Sequence, residues 1–304
     1  MPKRILKIIL TRFALLPPYF RSTLGLRILR RLTRSAELPD YLIGNMGISS
    51  NLRCRIPSDD NLLLYGRPAD YQGERGALEA CGELSRHADC FVDIGAHKGY
   101  FSFFVRDRVS ESLPIYLFEP DEMLYEVINE NITRNKASSI SAFQKAVGSF
   151  DGQAKFYRDI TSPLQGSLTN DFMQDHEIVQ VDISVCTFNQ FAKTENIIDA
   201  CVKVDIENAE FDFLDGAIEK LSTIKYLIIE VLGPAAEKGF IKKLIDEYSF
   251  QAYYIDDYIL RHSADGSFDY HSPQYNWLFC RENPDSLRRM LAGNRKLKVY
   301  ELQV

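Results

Sequence analysis

No stretch of this 304-residue chain approaches about 18 uncharged apolar residues, which argues against a membrane-crossing helix. Its six cysteines (Cys54, Cys81, Cys90, Cys186, Cys201, Cys280) include no Cys-x-x-Cys pair. Neither a zinc ribbon nor a dense disulfide framework is expected, and a reducing cytosol is the natural compartment. A net charge of −6, from 36 basic and 42 acidic residues, gives no reason to expect a nucleic-acid partner. Low-complexity tracts and internal repeats are absent too. What is present, 45% hydrophobic and 26% charged residues, can fill a real core and excludes collagen-like, mucin-like and wholly disordered chains.

Acidic residues are missing altogether from 1–36, where nine basic ones lie. The rest of the chain, 27 basic against 42 acidic residues, therefore carries −15. On a helical wheel, residues 21–34 place Leu24, Ile28, Leu29 and Leu32 opposite Arg27, Arg30, Arg31 and Arg34, a basic amphipathic helix. Residues 3–16 form a less clean one, and Pro17-Pro18 separates the two. Arg12 interrupts the apolar run, so a cleaved secretory signal is not expected. Two roles fit the stretch 3–34: peripheral contact with an anionic membrane at its inner, cytoplasmic face, or packing on the protein's own body or a second subunit.

From Cys90 onward short apolar runs alternate with helix-length amphipathic stretches. Strands are predicted at 90–95, 115–119, 141–147, 201–206 and 226–232, with helices at 99–108, 121–136, 211–223 and 235–248 and two final strands near 251–255 and 276–280. Such βαβ alternation builds a doubly wound, mostly parallel α/β sheet. A further helix is predicted over 73–87, and the polar region 148–186 reads as an insertion or lid.

Residues 91–100, FVDIGAHKGY, carry the chemistry. An apolar strand ends in Asp93 and runs into Gly95 and Gly99, which let backbone approach a ligand at a helix N-terminus. A dinucleotide loop would read G-x-G-x-x-G; D-x-G-x-x-x-G suits a ligand with an amino-acid tail, such as S-adenosylmethionine, whose ammonium Asp93 would meet. Glu119 ends the next strand, where a carboxylate can accept both ribose hydroxyls. Lys203, Asp205 and Glu207 alternate at the fourth strand, as a site at the sheet's carboxyl edge or as an ion pair that stabilises it. Asp205 is the first candidate for a base taking a hydroxyl proton and His97 the second, with Glu207 beside them; His97 equally fits a loop side chain bonding its own backbone. Asp205 and Glu207 could also hold Mg²⁺, but with one such pair visible no metal is expected. Residues 162–175 and Tyr253, Tyr254, Tyr258, Tyr270 and Tyr275 are candidates for an acceptor pocket or ordinary half-buried strand residues.

Over roughly 64–279 the chain resembles the FkbM-like methyltransferases. The resemblance rests on FVDIGAHKGYFS at 91–102, FEP at 118–120 with Asn131 and Asn135, Ala146-Val147-Gly148 before Asp151-Gly152, KVDIENAE at 203–210 with Asp215-Gly216-Ala217, and Ile228-Ile229-Glu230. His97 and Asn208 stand where that family usually has Asn and Gly. The resemblance implies a Rossmann-like class I fold with a seven-stranded sheet and an antiparallel last strand, over 88–304; the residue pattern places a basic helical extension at 1–36 and a lead-in at 37–87 before it. It implies S-adenosylmethionine as cofactor, contacted by Asp93, Gly95, Ala96, Gly99, Tyr100, Glu119, Pro120 and Ala146, and methylation of a hydroxyl on a glycan or glycolipid precursor. Rival readings are a non-catalytic membrane-docked scaffold and a nicotinamide-dependent oxidoreductase.

Overall fold

The computed structural model describes residues 41–44, 50, 52–55, 74–159, 166–167, 178–267 and 275–301. The basic stretch 1–36 lies outside the described residues, as do Tyr270 and most of 162–175. In chain order, β1 (Tyr41–Gly44) pairs antiparallel with β2 (Leu52–Arg55) ahead of helix α1 (Glu74–Leu84). There follow β3 (Cys90–Ile94), α2 (Tyr100–Arg108), β4 (Ile115–Phe118), α3 (Glu122–Arg134) and β5 (Ile140–Phe143). Strands β6 (Ala146–Val147), β7 (Gly152–Asp159), β8 (Gly166–Ser167) and β9 (Ile178–Cys186) make a second sheet in the order β6-β9-β7-β8. The alternation resumes with α4 (Phe188–Thr194), β10 (Ala200–Val204), α5 (Glu210–Ala217), β11 (Ile224–Glu230), α6 (Gly233–Glu237) and α7 (Phe240–Asp246). The remaining elements are β12 (Gln251–Asp256), β13 (Ile259–Ser263), β14 (Asn276–Cys280), α8 (Pro284–Met290) and β15 (Lys298–Glu301).

The main sheet runs β15-β13-β12-β14-β11-β10-β3-β4-β5. Its centre, from β11 to β5, is parallel, and β14 enters antiparallel between β11 and β12. The expected seven strands are present; β13 and β15 widen the sheet to nine. The run expected as one strand over 141–147 divides after Phe143, and its last two residues join the second sheet. The helix expected over 235–248 breaks at Gly239, which takes a left-handed φ of 81° between α6 and α7.

Strand parity explains both the core and the site. Strands covered on both faces read as apolar runs whose successive side chains point to opposite sides. Phe91, Cys201, Tyr226 and Ile228 face one way, packing with Leu78 of α1, Phe103 of α2, Ile128 of α3 and Leu287 of α8. Val92, Val202, Leu227 and Ile229 face the other, with Phe188, Phe213 and Phe240 of α4, α5 and α7. By the same parity Asp93, Lys203 and Glu230 share the α1–α2 face.

Candidate active site

The carboxyl ends of β3 and β4 are tied by backbone: the N–H groups of Gly95 and Ala96 both donate to Phe118 O, at 3.1 and 3.0 Å. The β3–α2 loop is further pinned from α3, where buried Asn131 donates its side-chain amide to Lys98 O at 3.3 Å. Gly95 has φ 77° and lies against the exit of β10, whose Asp205 N–H donates to Ile94 O at 3.0 Å. Buried Glu119 stands at the tip of β4. One of its oxygens accepts from His97 N–H at 2.8 Å and the other from Asp121 N–H at 3.0 Å. That leaves the carboxyl, its orientation fixed, with hydrogen-bonding capacity toward the cleft: a free lone pair on each oxygen when ionised, one lone pair and one O–H donor when protonated.

A cleft opens here, enclosing about 460 Å³ with the part open to solvent included, a size that suits a small-molecule ligand. Gly95, Glu119, Pro120 and Ala146, all expected ligand contacts, line it. Phe156 of the second sheet and Ile206 and Ala209 beyond β10 contribute as well, and so does Lys145. Sequence reasoning had not picked these four. Asp93, Ala96, Gly99 and Tyr100 are not among the lining residues; Gly99, with φ 80°, caps the N-terminus of α2.

Asp93 is fully buried. Its Oδ2 accepts from Ser102 Oγ at 2.7 Å, while Oδ1 has no hydrogen-bond partner and lies 4.0 Å from Lys203 Nζ. Lys203 is the hub: its ammonium reaches Asp205 Oδ2 at 2.9 Å and sits 4.7 Å from the Phe101 ring centroid. The ion-pair reading of Lys203 therefore holds, inside a larger group. Asp205, Glu207 and Glu230 bring carboxylate oxygens within 4.8 Å of one another. Glu230 had been read only as a strand end, although an acid closing an apolar run is the same signal that marked Glu119. A trio of acids is not in itself a metal centre, and Lys203 already supplies it with a cation.

Electrostatics separate these acids. Lys203 holds Asp205 below the ordinary carboxylate range despite its burial. Burial, with repulsion from Asp205, pushes Glu207 up to about 7 and Glu230 up to about 8. Glu74, at the start of α1, rises to about 7 for the same two reasons, and burial lifts Glu119 to about 8 against its two N–H donors. Burial drives His97 down to about 3, so its ring is neutral at physiological pH; its Nε2 is buried without a partner. His97 donates its own N–H to Glu119, so the loop's backbone, not its imidazole, serves the cleft.

The folded chain thus holds protons on Glu74, Glu119, Glu207 and Glu230 that the unfolded chain gives up above 4.5. Their stabilising contribution is complete below that value and is lost as pH rises through about 7 to 8. His97 acts with the opposite sign, but only below its ordinary 6.5. Urea unfolding free energy is therefore expected to fall from about pH 5 to 8, the four carboxyls outweighing His97 below 6.5, and to level off above that. A flat or rising profile would contradict the assignment.

Tyr253 and Tyr254 are core residues and present no acceptor surface: Tyr253 Oη donates to Glu282 O at 2.6 Å, and Tyr254 packs edge-on to Trp277. Half-buried Tyr258 lies beneath Lys296, whose ammonium is 5.7 Å from its ring. Among the described residues no helix is long and apolar enough to cross a membrane.

A family model described as the methyltransferase FkbM domain matches residues 93–264. No protein of curated function matches significantly. Solved structures similar to the chain include methyltransferase FkbM from Methylobacillus flagellatus KT, at 18% identity and TM-score 0.40, covering 72% of this chain and 52% of that one. The chain therefore spans about half the length of that protein. M. capricolum TrmK, solved with S-adenosyl-homocysteine, matches at 12% identity and TM-score 0.38 over 67% of this chain and 66% of its own. A SAM-dependent methyltransferase from Agrobacterium tumefaciens matches at 10% identity and TM-score 0.44, over 82% and 72%.

Proposed function

The chain belongs to the FkbM methyltransferase domain family, and from that premise we propose that it moves a methyl group from S-adenosylmethionine to a hydroxyl of a glycan or glycolipid precursor. The observation that carries the donor half is Glu119, buried at the tip of β4, oriented by two backbone N–H groups and opening with Gly95 into the cleft. A nucleoside fits these residues: Glu119 keeps hydrogen-bonding capacity for a ribose diol, Pro120, Ala146 and Phe156 offer apolar contact for a base, and Gly95 lines the cleft beside Glu119. Bound S-adenosylmethionine supplies a methyl carbon already activated by sulfonium, so the protein's work is alignment and the exclusion of water.

For a hydroxyl acceptor, a carboxylate near neutrality is the suitable proton acceptor. Glu207, at about 7 and flanked in sequence by cleft-lining Ile206, suits that role better than Asp205, which Lys203 keeps ionised and weakly basic. The glycan or glycolipid acceptor, and the use of the basic stretch 3–34 to bring the enzyme to lipid-linked sugars at an anionic membrane, are supported by family resemblance and charge pattern alone.

Calorimetric titration tests the donor. S-adenosylmethionine should bind the wild-type chain, and Glu119→Ala should weaken it by about 10- to 100-fold, the loss of two hydrogen bonds to an oriented carboxyl. Absence of binding heat and of any thermal shift, or binding of a nicotinamide dinucleotide in its place, would remove the reading.

A further inference from the structure

Among the described residues the tips of β3, β10 and β11 hold more acid than base. Around Lys203 stand Asp205 at the exit of β10, Asp93 on β3 and Glu230 on β11, with Glu74 of α1 close enough to feel both Lys203 and Asp205. Glu207 faces the same charges and Glu210 of α5, and His97, near Asp205, is neutral. Asp93 belongs to the same excess of acid: its residue is 0% exposed, and its Oδ1 accepts no hydrogen bond and has the shared Lys203 ammonium 4.0 Å away. Ile206 and Ala209 place this group directly behind one wall of the cleft.

We propose that Glu207 and Glu230 form a proton-exchanging counter-charge for the donor's sulfonium, giving up protons to solvent when a cationic ligand fills the cleft and regaining them when a neutral one replaces it. The inference rests on the donor reading above and extends it. In the empty cleft burial, with repulsion from Asp205, keeps protons on these carboxyls, and Lys203 only partly opposes it. A positive charge nearby lowers their affinity for protons; the O–H bond breaks, the proton passes to buffer, and the carboxylate remains. Donor binding would then create the ionised Glu207 that a hydroxyl acceptor needs. The thioether product carries no sulfonium, so the carboxyls re-protonate and the product is held less tightly.

S-adenosylmethionine and S-adenosylhomocysteine share nucleoside, ammonium and carboxylate, so comparing them isolates the sulfonium. Each is titrated calorimetrically into the full chain at pH 6, 7 and 8, in two buffers of different ionisation heat so that protons are counted. Affinity for S-adenosylmethionine should rise with pH, by up to about tenfold per unit for each proton expelled. Affinity for S-adenosylhomocysteine should change by less than about twofold. The ligand's own amine, near 8, would take up a proton on binding as ammonium, the opposite sign. Glu230→Gln and, separately, Glu207→Gln should lower the proton count for S-adenosylmethionine and leave S-adenosylhomocysteine affinity unchanged. Equal proton release for both ligands, or an affinity for S-adenosylmethionine that is flat with pH, overturns the proposal while leaving donor binding intact. Failure of both ligands to bind overturns the donor reading and the proposal together. The wild-type comparison decides even if a variant fails to fold.

Discussion

Replacing Lys203 with methionine is expected to destabilise the protein by about 3–5 kcal/mol at pH 8, the range for removing one partner of a buried ion pair. Methionine keeps most of the side-chain volume, so little of the loss comes from a cavity. What is left behind decides the size: Asp93 and Asp205 lose the ammonium at 4.0 and 2.9 Å, and Phe101 loses a cation 4.7 Å from its ring centroid. The effect should shrink toward pH 5, because carboxyls freed from a cation protonate more readily and so shed their buried charge. Urea denaturation at the two pH values measures both parts. Lys225→Met is the control: its 3.4 Å pair with Asp199 is solvated, and such a pair is worth at most about 1 kcal/mol. A Lys203→Met loss as small as the control's, or one that grows toward acid, would show that Lys203 is not the hub of the site.

Most of that hub was legible without coordinates, and the part that was not has a definite cause. Asp93 and Glu119 stand out because each ends an apolar run at the point where the period changes from two to that of a helix. Alternation puts Lys203 on one side of its strand together with Asp205. What sequence cannot supply is strand neighbourhood. Lys203 is the register partner of both Asp93 on β3 and Ile228 on β11, and the next step, Val204 with Ile229, leads to Asp205 and Glu230 at adjacent strand ends. Read singly, Glu230 was one more strand-ending acid; beside β10 it belongs to the cluster. Read alone, Asp93 was expected to meet the donor's ammonium; strand register adds the Lys203 ammonium beside it. At the far edge, β13 and β15 escaped notice because ILRHS and KVYE are short and half polar, and only pairing with β12 and with each other makes them strands. Gly239 stopped a helix whose apolar spacing runs straight through it, since periodicity registers side chains and not a backbone in the left-handed region.

Gly95→Ala is expected to be the most damaging single-methyl change in the site, with donor affinity down at least about 100-fold and more than about 2 kcal/mol of stability lost. Its φ of 77° already penalises any side chain. The heavier penalty is collision: an added Cβ would lie 1.8 Å from Asp205 O and 2.9 Å from its carbonyl carbon. Those are backbone atoms on the strand exit that carries Lys203 and Asp205, so relief requires parting β3 from β10 where Asp205 N–H meets Ile94 O. That movement would disturb the cleft wall at Ile206 and the carboxyl cluster together. Gly99→Ala separates the two causes. It has nearly the same backbone angle, φ 80°, but its new Cβ would meet only side-chain carbons, Leu117 at 3.1 Å and Phe103 at 3.4 Å. There the left-handed conformation alone should cost about 1–2 kcal/mol, and binding should fall far less. Denaturation and calorimetry on the pair give the decisive ratio. If Gly95→Ala is no worse than Gly99→Ala in both, the close approach of the β3 loop to Asp205 does not shape this site.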